Sequence, residues 1–137
     1  MIHSLRIGVV FGLILTVING GLELVPVPYA NLVGLASVAA WITCVGLAGA
    51  LTYRRHPQAS ATLAAIVVVG VDSIRSAAVK LATGATAIVQ NQPVHLTPGM
   101  IILIELVIFL GLALPAAGVG WLGARLGRVL AVAKVSP

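Results

Sequence analysis

Four apolar runs, at about residues 7–25, 28–52, 58–82 and 98–124, dictate what this chain can fold into. A helix needs about 20 such residues to cross the hydrocarbon of a bilayer, and the run 28–52 contains no Asp, Glu, Lys or Arg. Backbone amides find no water there, so each run must close its own hydrogen bonds as a helix. Composition agrees: 60% of the 137 residues are hydrophobic, 8% are charged, and mean hydropathy is +1.14. A soluble domain is about one quarter charged. The expected fold is an all-α integral membrane protein, an antiparallel bundle of four transmembrane helices forming one membrane domain, 1–137, with an outer loop at about 83–97.

Punctuation supports these bounds. Pro28, Pro57 and Pro98 stand at the starts of spans two, three and four, where a missing N–H costs nothing, and Thr97 precedes Pro98 as a helix cap. Arg54-Arg55-His56-Pro57 is a tight connection. Span one has the basic start and apolar core of a signal peptide. Pro28-Tyr29-Ala30 lacks the small first residue of a cleavage motif, however, so a retained helix is expected. Tyr29 and Tyr53 bracket span two about 36 Å apart, a separation suited to two aromatic belts. Trp41, near mid-span, is expected to pack against another helix. Span four is expected to continue as a helix past Trp121 through Arg125 and Arg128.

Small residues recur at helical spacing. Gly8, Gly12, Thr16 and Gly20 make one stripe, which Asn19 and Glu23 extend. Ala39, Thr43, Gly46 and Ala50 make a second, and Ala117, Gly120, Ala124, Gly127 and Ala131 a third. Such faces let helices approach closely. Pro115 interrupts span four and frees the carbonyl of Gly111, which marks a candidate hinge.

Orientation follows from the basic residues. Arg6, Arg54, Arg55, Arg125, Arg128 and Lys134 fall on one side if the spans alternate, and Lys80 alone lies toward the other. Basic residues favour the cytoplasmic side, so both termini are expected inside and the protein in the plasma membrane. The same distribution accounts for the net charge of +5 without nucleic acid. The outer loop is neutral: either a plain loop or an extension of helix three toward Gln90.

Several chemistries lack their residues. Cys44 is the single cysteine and sits in an apolar run, as a packing residue would. His3 and His56 lie at the cytoplasmic edge and His95 in the outer loop, so a haem held between two mid-span histidines is not expected. Phosphate-binding, dinucleotide-binding and nucleophile-elbow motifs are missing. No cofactor or metal is expected, and an enzyme is the less favoured class.

What remains are charges where charge is costly. Asp72, Arg75 and Lys80 stand between the uncharged stretches 57–71 and 81–104, and an ionisable group at bilayer depth needs a partner or a water-filled cavity. Counting about 1.5 Å per residue brings Glu23, Asp72 and Glu105 to the outer half on three different helices, with Arg75 among them. Asp72 and Arg75 are i, i+3 neighbours that can pair within one helix. The Arg75 fork can also hold Glu23 or Glu105, while Lys80 can snorkel to the headgroups. Asn19, Ser73 and Ser76 add hydroxyl and amide groups nearby. Once paired, the cluster keeps one negative charge in excess.

Span one, Arg6-Ile7-Gly8 through Phe11-Gly12 to Gly20-Gly21, loosely resembles the opening helix of the small four-span DoxX-like membrane proteins, with Glu23 standing where a basic residue is commoner there. The small multidrug exporters also have four spans and an acidic residue in the first, nearer mid-span than Glu23. Neither resemblance carries a function to this chain.

Two functions fit. In one, the odd carboxylate lines a vestibule and the protein transports or conducts protons or small cations as a homo-oligomer, with the glycine stripes as contacts between copies. In the other, the charges only pair helices, and the protein is an accessory or assembly subunit of a larger membrane complex.

Overall fold

The structure, a computed structural model, describes residues 1–26, 29–55, 60–89 and 92–133. Pro28, His56, Pro57, Gln90 and Lys134 lie outside the described residues. The elements are α1 (Ile2–Leu22), α2 (Ala30–Arg55), α3 (Ala61–Thr83), β1 (Thr86–Val89), β2 (Gln92–His95) and α4 (Pro98–Ala133). Four helices are long and apolar enough to cross a membrane.

Local chemistry sets their ends. The Ser60 hydroxyl accepts the Leu63 N–H at 3.1 Å, so α3 begins at Ala61 and not at 58. It stops after Thr83 because Gly84 takes φ +74°, a conformation that side chains with a Cβ resist. Helix three therefore does not run on toward Gln90. The segment between α3 and α4 is instead an antiparallel hairpin in which Thr86 faces His95 and Val89 faces Gln92, closed by Leu96 N–H donating to Ala85 O at 2.9 Å. The fold is helical apart from this hairpin, which is neither a plain loop nor an extension of helix three: the segment satisfies its amides across a short ladder. At α4, Met100 N–H donates to the Thr97 hydroxyl at 3.4 Å, with Pro98 in the first helical position. The helix continues unbroken through Pro115, which is exposed on the outside of the bundle.

Packing is a rhombus. α1 lies against α2 and α3, α4 also lies against α2 and α3, and α2 touches α3 across the short diagonal. Among the described residues α1 and α4 do not touch. The interior is made of small side chains, including Ala48, Ala64, Ala65, Val68 and Ala116, together with Leu15 and Cys44. Trp41 packs against this core, with its indole N–H buried and unpartnered. Leucine, isoleucine and valine cover the outside, Leu13, Ile14, Leu106 and Leu114 among them. Small inside and large apolar outside is the arrangement a lipid solvent favours, because helices then associate by close van der Waals fit.

The glycine stripes make that fit. A Cβ on Gly8 would lie 2.7 Å from Ala64 O, and one on Gly12 would lie 2.6 Å from Val71 Cβ, so α1 meets α3 there. Gly120 faces Ala65 of α3, and Gly127 faces Ala50 of α2. The tightest crossing joins α2 to α4, where a Cβ on Gly49 would come within 2.1 Å of Gly120 O and one on Gly123 within 2.2 Å of Gly46 O. Gly8, Gly12, Gly120 and Gly127 thus pack helix against helix inside the bundle, as the small-residue stripes imply, which leaves them unavailable as contacts between copies.

Candidate functional site

α3 is the hub of the charged residues: like α2 it touches all three other helices, but α2 carries no charge before Arg54, whereas α3 brings Asp72, Arg75 and Lys80. At about 100° per residue, Arg75 and Lys80 project about 140° apart around it, so the two cations reach different neighbours. Arg75 turns to α1. Its Nη1 donates to Glu23 Oε1 at 2.7 Å and its Nη2 to Glu23 Oε2 at 2.6 Å, a fork-to-fork pair. Gly20 makes room for it: a Cβ there would stand 3.3 Å from Arg75 Nη2. Lys80 turns to α4 and pairs with Glu105, which also accepts the Ser76 hydroxyl at 3.0 Å.

Two expectations change. The Arg75 ion pair runs to Glu23 and not to Asp72, because a carboxylate arriving from another helix satisfies both prongs of the fork. Lys80 does not merely snorkel: it neutralises Glu105, whose side chain is 7% exposed. The cluster also divides. With α1 and α4 at opposite corners, Glu23 and Glu105 cannot share a site, and among the described residues no three His, Cys, Asp or Glu side chains gather as metal ligands.

Asp72 is left over. Among the described residues its carboxylate has no ion pair, and it accepts hydrogen bonds from Asn19 Nδ2 at 3.3 Å to Oδ1 and 3.1 Å to Oδ2. Asn19 is held in turn, since its Oδ1 accepts from the Ser37 hydroxyl at 2.9 Å. That relay, Ser37 to Asn19 to Asp72, ties α2, α1 and α3 together and leaves the amide a single orientation. Ser37 was not singled out from the sequence; it is a hydroxyl in an uncharged span, a weak signal until its partner is known.

A pocket of about 210 Å³ opens beside this relay between α1, α2 and α3. Asn19, Glu23, Ser37, Asp72, Arg75 and Ser76 line it, with Leu22 and Val33 as apolar walls. Its charged walls are two carboxylates and one guanidinium, a net charge of −1. Ser73 points elsewhere, into an apolar groove of about 290 Å³ between α3 and α4, with Ile74, Leu106 and Phe109. The two sides of α3 thus differ: a polar pocket toward α1 and α2, and a greasy groove toward α4.

Fold and site together describe a helical bundle with four candidate membrane spans and an open, unevenly charged polar pocket between α1, α2 and α3. Comparison with protein-family models, curated proteins and solved structures finds no match.

Proposed function

We propose that this is an integral protein of the plasma membrane, with both termini on the cytoplasmic side, whose Asp72 pocket takes up a proton or small monovalent cation and moves it across the bilayer in a homo-oligomer. The observation that carries the reading is the unequal treatment of the three carboxylates. Glu23 and Glu105 each have a cation, whereas Asp72 has one neutral amide donor and faces the pocket. A carboxylate at bilayer depth that lacks a protein cation is stabilised by binding a proton or a cation, and intramembrane acids mark such pathways. Arg75 belongs to the same wall, where it limits the pocket to a net charge of −1 and disfavours a multivalent ion. The basic residues at the opposite helix ends support the orientation.

The test is flux in proteoliposomes with an internal pH dye, followed by sodium and potassium in turn. Asp72→Asn keeps the shape and one acceptor oxygen for Asn19 Nδ2 while removing the charge. Loss of at least tenfold in flux, with an unchanged melting temperature in detergent, is the expected result. Undiminished flux in Asp72→Asn overturns the proposal.

A second reading rests on the two ion pairs, each of which fastens α3 to a different neighbour. Charged pairs of this kind specify which helices sit together. A protein that used them only so, as an accessory subunit of a larger membrane complex, carries no flux alone and is recovered in a larger particle under mild solubilisation.

A further inference from the structure

At the far end of the bundle from Asp72, α2 and α4 build a second pocket, of about 260 Å³, from Tyr53, Trp121, Ala124, Arg125 and Arg128. Glu105 and Arg125 are about 30 Å apart along α4, so the two ends are independent. Trp121, Arg125 and Arg128 follow i, i+4, i+7 spacing and share one helix face. The Arg125 guanidinium lies over the Trp121 ring at 4.0 Å from its centroid. The Arg128 guanidinium lies 5.3 Å from the Tyr53 ring centroid, and its Nε donates to Tyr53 Oη at 2.9 Å.

How these arginines are held is the informative point. In the outer half, Arg75 and Lys80 are each neutralised by a carboxylate. Here aromatic rings and a hydroxyl orient the guanidiniums without cancelling their charge. Glu23 and Glu105 are toward the other end of the bundle and Asp72 is at the middle of α3, and among the described residues neither Arg125 nor Arg128 makes an ion pair. The single Tyr53 contact occupies Arg128 Nε and leaves both terminal nitrogens to donate. Two oriented, unneutralised forks beside one cavity match a phosphate diester, which guanidinium binds bidentately. Tyrosine and tryptophan at the end of an apolar helix prefer the headgroup layer, which identifies the source of that phosphate as lipid.

We propose that the Tyr53–Trp121–Arg125–Arg128 pocket binds the phosphate of an anionic phospholipid headgroup. The inference rests on the membrane reading above but not on transport through Asp72. It separates from the general attraction of basic residues to anionic membranes by requiring guanidinium forks and not charge alone.

The experiment uses the full chain in phosphatidylcholine vesicles doped with acyl-brominated phosphatidylglycerol, and reads quenching of tryptophan fluorescence. Brominated phosphatidylcholine in the same proportion is the control, and native mass spectrometry counts the lipids retained. Expected is preferential quenching by phosphatidylglycerol, with each arginine contributing about a five-fold preference. Arg125→Gln/Arg128→Gln abolishes it, and Arg125→Lys/Arg128→Lys, which keeps the charge that orients the chain, loses most of it. Tyr53→Phe, which frees Arg128 Nε, weakens it by less. Full preference in the lysine variant reduces the pocket to diffuse surface charge and overturns the proposal. So does equal quenching by both lipids. Displacement of phosphatidylglycerol by millimolar inorganic phosphate makes the pocket a site for free phosphate and likewise overturns it.

Discussion

Removing Lys80 tests whether the α3–α4 ion pair stabilises the bundle because its acid is buried. Lys80→Met keeps the stem length and deletes the charge, leaving Glu105 with the Ser76 hydroxyl as its hydrogen-bond partner. Breaking a fully buried pair costs about 3–5 kcal/mol, and an exposed one about 0–1 kcal/mol. This pair is mixed: the Glu105 side chain is 7% exposed and that of Lys80 is 41% exposed. Lys80 also stands about 4.5 Å from the end of α3, within reach of interfacial water. Discounting the buried figure for that exposure gives about 2–3 kcal/mol. The same deletion at the bidentate pair, Arg75→Met, strands Glu23, whose side chain is 58% exposed and hydrates readily. About 1 kcal/mol or less is expected there. The order inverts what bond geometry alone suggests, since the two-pronged pair is the cheaper to break. Unfolding titrations in mixed micelles measure both losses. Glu105→Gln in the Lys80→Met background should recover most of the stability, because a neutral amide needs no cation. Equal losses for Lys80→Met and Arg75→Met, or no recovery in the double variant, would refute burial of Glu105 as the cause.

Two further outcomes follow from the packing. Gly49→Val puts side chain where Gly120 O already stands, so α2 and α4 must separate, and a loss of about 3 kcal/mol or more in the same titration is expected. Gly118→Ala, with nothing within 4 Å of its Cβ position, leaves stability unchanged or slightly raised. Ser37→Ala removes the donor that orients Asn19, costing about 1 kcal/mol and lowering the apparent affinity of the Asp72 pocket several-fold in a flux assay, with maximal flux little affected. A change in maximal flux alone speaks against the relay.

Four long apolar helices and the hydroxyl-bearing start of α4 were legible in the residues alone, because hydropathy and helix capping act over a few neighbouring positions. So was the principle of packing through small residues, since a spacing of three or four puts them on one face whatever helix lies opposite. The hairpin at 86–95 was not legible: its strands are short, neutral and interrupted by Pro93, and what separates it from a longer helix is the positive φ of Gly84. The partner of each charge depended wholly on tertiary structure. Sequence depth brings Glu23, Asp72 and Glu105 to one level, but level says nothing of direction. The rhombus puts α3 on its short diagonal and keeps α1 from α4, so Arg75 and Lys80 are drawn to opposite sides and, among the described residues, Asp72 is the acid without a cation. Hydropathy is a property of each segment and survives without its neighbours; an ion pair exists only when two segments are brought to within a few ångströms, and only the packing of the four helices decides which two.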